Sequence, residues 1–93
     1  MSISIYPVDS NPLVSLMITH SNLKITIPEV SFSLMEPICE IKLSLVRRVG
    51  TDVDSMELQL KNEYNNLVAN MSDDLKPLGF YGARDGFTIH VKN

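Results

Sequence analysis

The run from Leu78 to Asn93 constrains the fold of this chain more than any other segment. Hydrophobic residues alternate with polar ones near its end, so that Phe87, Ile89 and Val91 fall on one face of an extended chain. This alternation is the period of a half-buried β-strand. Asp85-Gly86 precedes the strand as a tight-turn pair, because glycine adopts a positive φ without steric cost. The run therefore predicts a closing strand, which must add to a sheet formed by earlier segments.

Four earlier segments predict the rest of that sheet. The first strand is expected from Leu13 to Thr19, and a second from Leu23 to Ile27, where Pro28 prevents its simple continuation as a central strand. A third strand is expected from Met56 to Lys61, and a short one from Leu67 to Met71. Their alternating apolar residues predict the inner face of the sheet, namely Val14, Leu16, Ile18, Met56, Leu58 and Leu60.

One convincing helix is predicted, from about Glu36 to Val49. Ser33 and Glu36 have the spacing of a capping box, Pro37 falls in the first turn, and Gly50 is expected to end the helix. Its apolar residues recur at the three- and four-residue spacing of a single buried face: Ile38, Ile41, Leu45, Val46 and Val49.

The order strand, strand, helix, strand, short strand, loop, strand predicts an α+β fold with one helix packed across a mixed sheet. Pairing the first and last strands in the middle gives the helix connection the right-handed crossover that such units adopt. This arrangement is the β-grasp, the fold of ubiquitin. We expect residues 13–93 to form this ubiquitin-like domain, and residues 1–12 to be an N-terminal extension. The loop from Asp73 to Tyr81 is expected to contain one tight helical turn.

Composition excludes several classes of function. The 93 residues suffice for one domain, and eight basic against eleven acidic residues give a formal charge of −3, which disfavours nucleic-acid binding. No apolar run has the length needed to cross a bilayer, so no membrane association is expected. The single cysteine, Cys39, fits a reducing compartment, and we expect a cytoplasmic location.

Residues that could carry chemistry lack the spacing that chemistry requires. Cys39 falls in the first turn of the predicted helix without a nearby histidine, and we interpret it as an inert small residue. Asp52, Asp54 and Glu57 lack the spacing of a calcium loop, and the two histidines, His20 and His90, lack that of a zinc site. We therefore expect no enzyme, no cofactor, no metal and no catalytic residue.

Two blocks of sequence resemble one family. The run Val49-Gly50-Thr51 followed by Ser55-Met56-Glu57-Leu58-Gln59-Leu60 resembles the helix exit and third strand of the ubiquitin-like domain of tubulin-folding cofactor B. The closing run, with Leu78, Tyr81 and Asp85-Gly86 before Ile89-His90-Val91, is similar to that family's last strand. The helix run Ile41-Lys42-Leu43-Ser44-Leu45-Val46 also resembles the corresponding family segment.

The resemblance implies a non-conjugating interaction domain of a tubulin chaperone that is cytoplasmic and cytoskeleton-associated. The implied partners are α-tubulin and cofactor E, in assembly or disassembly of the tubulin heterodimer, and the domain itself is expected to be monomeric. Family proteins continue into a helical linker and a CAP-Gly domain, so this chain is expected to match their N-terminal part. The alternative is a stand-alone ubiquitin-like adaptor in protein turnover or signalling. The end Val91-Lys92-Asn93 does not support conjugation, which needs a Gly-Gly tail.

The open side of the predicted sheet is the candidate partner-binding surface. The outward residues of the third and closing strands define it: Glu57, Gln59, Thr88, His90 and Lys92.

We predict that ordinary ubiquitin receptors do not bind this chain. When the strands are aligned with those of ubiquitin, an exposed isoleucine and an exposed valine of its receptor-binding patch correspond to Gln59 and Lys92. A receptor that buries these two apolar side chains in ubiquitin would have to bury an amide and a charge here, which is unfavourable. Nuclear magnetic resonance (NMR) titration with a ubiquitin-binding helix should leave both resonances unmoved. Shifts at both positions with micromolar affinity would contradict the prediction.

Overall fold

A computed structural model describes residues 12–92 of the chain. Expectations for residues 1–11 lie outside the described part, so the proposed division at residues 12 and 13 stays a prediction. The described residues form five strands and one α-helix: β1 (Leu13–His20), β2 (Thr26–Ser33), α1 (Ile38–Val49), β3 (Glu57–Lys61), β4 (Leu67–Asn70) and β5 (Thr88–Lys92). Short 3-10 helices occupy Val53–Ser55 and Leu78–Tyr81, and the second confirms the tight turn expected in the 73–81 loop.

The five strands form one mixed sheet in the order β2-β1-β5-β3-β4. β1 and β5 pair in parallel in the middle, with Ile18 beside Ile89, and every other neighbouring pair is antiparallel. The chain enters α1 after β2 and returns to the far side of β5, so the helix crosses one face of the sheet. The predicted α+β β-grasp is confirmed, including the central pairing of the first and last strands.

The core lies between the sheet and α1. Ile18, Leu60 and Ile89 on the sheet and Ile41 and Leu45 on the helix are fully buried. Every residue that the sequence places inward on β1, β3, β5 and α1 is buried, except that Val46 is only partly so. Strand and helix periodicity thus predict the core correctly, because backbone geometry sets the two periods and each element buries one face.

The start of α1 differs from the predicted capping box. The helix begins at Ile38 with Pro37 as its N-cap, and no side chain caps it. The Ser33 hydroxyl instead accepts a hydrogen bond from the backbone N–H of Met35, within the turn that precedes the helix. The predicted role of Ser33 and Glu36 is therefore wrong, and the free N–H groups of the first turn must find other acceptors.

Carbonyl groups from the 72–78 segment supply those acceptors. The N–H of Ile38 donates to the carbonyl of Lys76, and the N–H of Cys39 donates to that of Asp74, both at 3.0 Å. In return, the N–H of Leu78 donates to the carbonyl of Glu36. A local capping pattern in the sequence cannot reveal this arrangement, because the acceptors lie in a segment that follows β3 and β4.

An ion pair joins the same two segments. Lys42 Nζ lies 2.8 Å from Asp74 Oδ1, and the Lys42 side chain keeps only 11% of its exposure while that of Asp74 keeps 45%. Asp74 Oδ1 is buried and, within residues 12–92, makes no well-aligned hydrogen bond, so the nearby ammonium is what balances its charge. The helix start and the 72–78 segment are thus held by backbone and by charge.

β2 lies later in the chain than predicted. It spans Thr26–Ser33 and runs through Pro28, whereas Leu23 and Ile25 lie in the connection before it. β2 is an edge strand, and its register with β1 shifts at Pro28 and Glu29, where Glu29 has φ 56°. A bulge on an edge strand tolerates a residue without an N–H, so Pro28 does not end the strand.

His20, one residue beyond the predicted end of the first strand, is the last residue of β1 and is 6% exposed. Its Nδ1 accepts hydrogen bonds from the N–H groups of Asn22 and Leu23, and its Nε2 lies 2.7 Å from Thr51 Oγ1. Because Nδ1 accepts twice, the ring proton is assigned to Nε2, which donates to Thr51. The imidazole thereby fixes the turn after β1 and the exit of α1, which ends at Gly50 as predicted, with φ 74°.

Replacing Asp74 by asparagine should lower the free energy of unfolding by about 1–3 kcal/mol, because the nearly buried Lys42 ammonium loses its counter-charge. Denaturant unfolding measures the change. Asp54→Asn, at an exposed aspartate, is the matched control and should change stability by less than about 0.5 kcal/mol.

The double variant Lys42→Met with Asp74→Asn should recover most of the loss, since it leaves no unpaired charge. Equal effects of Asp74→Asn and Asp54→Asn would show that the ion pair does not hold the segment.

Candidate partner-binding sheet face

The side of the sheet that faces away from α1 is here called the open sheet face. Cross-strand pairing brings the predicted binding residues together there. Glu57 lies beside Lys92, and Gln59 lies beside His90. Thr88, the fifth predicted residue, pairs with Lys61. Each of the five is at least partly exposed, so the structure joins them into one continuous surface.

A row of polar side chains crosses the whole sheet through His90. Register places the members side by side on the five strands in the order Asn70, Gln59, His90, Thr19 and Thr26. The Gln59 amide Nε2 donates to Asn70 Oδ1 at 3.2 Å, and Thr19 Oγ1 lies 2.7 Å from His90 Nδ1. The Thr19 contact holds the His90 ring at Nδ1, and this leaves Nε2 as the ring nitrogen for a partner.

A second row runs beside the first and mixes charge with apolar area. Leu67, Lys61, Thr88 and Met17 are neighbours across β4, β3, β5 and β1. Leu67 and Met17 are exposed by 53% and 39%. Exposed polar side chains next to exposed apolar ones give this surface the mixed composition that is typical of protein–protein interfaces.

The electrostatics of the face centre on His90. Partial burial, and then the positive charges of Lys61 and Lys92, lower the pKa of His90 below its ordinary value of 6.5. Each cause disfavours the imidazolium, the first by removing water and the others by like-charge repulsion. The open sheet face therefore presents a neutral imidazole between two lysines near neutral pH.

Sequence reasoning missed half of this surface. Lys61 follows from the alternation of β3, and Thr19 and Met17 follow from that of β1, so these three could have been found. Asn70 and Leu67 could not have been found in this way, because the pairing of β4 with β3 shifts between Leu60 and Lys61 of β3. Strand periodicity predicts which side of the sheet a residue faces. It does not predict which residue of the next strand lies beside it when the pairing contains a bulge.

The other residues considered for chemistry lie apart from this face. Cys39 is half-buried in the first turn of α1, and His20 is bonded to Thr51. Across residues 12–92, no three histidine, cysteine or acidic side chains come close enough to hold a metal ion. The same residues contain no helix that is both long and apolar enough to cross a membrane.

Comparison with known proteins identifies the fold family. The model of the ubiquitin-like domain matches residues 13–93. The chain belongs to the ubiquitin-like domain family. Several relatives are the proteins whose ubiquitin-like domain the two sequence blocks resemble. The chain is 37% identical to tubulin-folding cofactor B of Arabidopsis thaliana over 91 residues, which are 98% of this chain.

Solved structures agree with this result. The structure of Trypanosoma brucei tubulin-binding cofactor B superimposes with a TM-score of 0.84 at 34% identity, over 88% of this chain and 95% of that one. A ubiquitin-like domain from tubulin-binding cofactor B gives a TM-score of 0.78 at 30% identity, over 89% and 91%. The resemblance to the ubiquitin-like domain of cofactor B is thereby confirmed. The chain spans 37% of the Arabidopsis relative's length.

We predict that a pH titration of the His90 ring protons, followed by NMR, gives a pKa below 6.5. The double variant Lys61→Gln with Lys92→Gln should raise this pKa, because the repelling charges of both lysines are removed. Since the folded-state pKa lies below the unfolded one, the unfolded chain binds the proton first as pH falls. His90 thus contributes stability above pH 6.5 that is lost as pH falls through the folded-state pKa. A folded-state pKa at or above 6.5 would contradict this description of the face.

Proposed function

We propose that this domain is the protein-interaction module of a tubulin-folding cofactor, and that it does not act by conjugation or catalysis. Its place of action is then the cytoplasm, in association with the cytoskeleton. In this role the domain helps a chaperone of α-tubulin to work with cofactor E during assembly or disassembly of the tubulin heterodimer. The observation that carries the proposal is the 37% identity to tubulin-folding cofactor B across 98% of this chain.

The open sheet face is the surface proposed to contact the partner. It combines donors and acceptors in a fixed row, with the Thr19–His90 contact at 2.7 Å holding the central ring. Pre-positioned polar groups lower the ordering cost of binding, and the exposed side chains of Met17 and Leu67 supply apolar area that a partner can bury. On the open sheet face the two lysines, Lys61 and Lys92, outnumber the one acid, Glu57, within a chain of net charge −3, and this excess favours an acidic patch on the partner.

Charge reversal on the face tests both the partner and the surface. The immobilised chain should retain α-tubulin, cofactor E or both in a binding assay with purified proteins. Lys61→Glu should weaken that binding about tenfold, because it places a negative charge in the second row of the face. Lys24→Glu makes the same change at an exposed lysine in the β1–β2 connection and should leave binding unchanged.

Two outcomes would count against the proposal. Retention of neither protein by the wild-type chain would remove the interaction role from this domain. Equal weakening by Lys61→Glu and Lys24→Glu would keep the role but assign it to general electrostatics rather than to the open sheet face.

A further inference from the structure

The side of α1 that faces away from the sheet carries a second surface. Five residues recur at three- and four-residue spacing on the side of α1 opposite its buried residues: Glu36 just before the helix, and Glu40, Leu43, Ser44 and Arg47 within it. We call these five residues the outer helix face. Together with Arg48, they line one shallow groove along α1.

An exposed leucine lies at the middle of this face. Leu43 is 53% exposed, and its neighbour Ser44 is a small residue on the same side of the helix. The acids before Leu43 and the arginine after it have the signs that the helix dipole favours at each end, so these charges stabilise α1 itself. The helix dipole does not explain why an apolar side chain is exposed midway between the charges. A leucine beside a small residue, flanked by opposite charges, has the composition of a helix–helix contact.

The arrangement is complementary to itself. Glu40 and Arg47 lie equally far from the midpoint between Leu43 and Ser44. When two such helices pack antiparallel about a twofold axis at that midpoint, Glu40 of each copy faces Arg47 of the other. Leu43 of each copy then lies over Ser44 of the other, where a small side chain allows close approach. A twofold interface requires this kind of self-matching surface.

We propose that the outer helix face binds a second copy of this chain through antiparallel α1–α1 packing. A single helix of 12 residues offers an interface below about 1,000 Å², which is the range of weak, transient association. The monomer expected from the sequence then predominates in dilute solution, and the dimer forms as concentration rises. The open sheet face lies on the other side of the sheet, so the dimer leaves it free for the partner.

Complementary charge reversals distinguish this pairing from nonspecific association. Sedimentation equilibrium of the 93-residue chain should show reversible dimers at high concentration, and dilution should shift the NMR signals of α1. Glu40→Lys and Arg47→Glu should each weaken self-association about tenfold, since each places like charges together twice. An equimolar mixture of the two variants should restore association, because every contact is again between opposite charges.

An apolar pair of variants completes the test. Leu43→Ala should reduce association, whereas Leu75→Ala removes an even more exposed leucine elsewhere and should not. Both sites are exposed, and the circular dichroism spectrum of each variant confirms that it is folded. No dimer at millimolar concentration would overturn the proposal. So would failure of the mixture to associate, equal effects of the two alanine variants, or dilution shifts confined to the open sheet face.

Discussion

The parallel pairing of β1 with β5 is the contact on which the rest of this structure depends. It joins segments from the two ends of the domain and places Ile18 beside Ile89, both fully buried, at the centre of the core. With these strands in the middle, the chain between them must cross one side of the sheet, and α1 covers that side. The opposite side is left open, and its central row passes through the same pair, from His90 to Thr19. The contact that closes the fold therefore also builds the candidate binding surface.

Most of this architecture follows from the sequence, because each element buries one face and its hydrophobic residues therefore recur with the period of its backbone. The inward positions of β1, β3, β5 and α1 could be assigned from alternation and helical spacing alone. The errors concern contacts between distant segments. The start of α1 is satisfied by carbonyls of Asp74 and Lys76 rather than by Ser33, and His20 is fixed by Thr51. Pro28 lies within a strand because β2 is an edge with a bulge. No local pattern encodes these partners, since each depends on tertiary register.

The candidate site shows the same division. The five residues predicted for the open sheet face lie on it because alternation fixes which side a strand residue faces. The neighbours that give the face its chemistry come from register: Thr19 orients His90, and Asn70 accepts from Gln59. On this account the domain presents two surfaces on opposite sides of one core, one polar and suited to a different protein, and one self-matching along α1.

The central claim is that the open sheet face is where this domain meets its partner. The most direct measurement is NMR mapping of the isotope-labelled chain during titration with purified α-tubulin and cofactor E. The account predicts that the first signals to shift or broaden belong to Thr19, Gln59 and His90, while those of buried α1 residues stay in place. Changes confined to α1 or to the 72–78 segment, with the open sheet face unaffected at saturation, would contradict it.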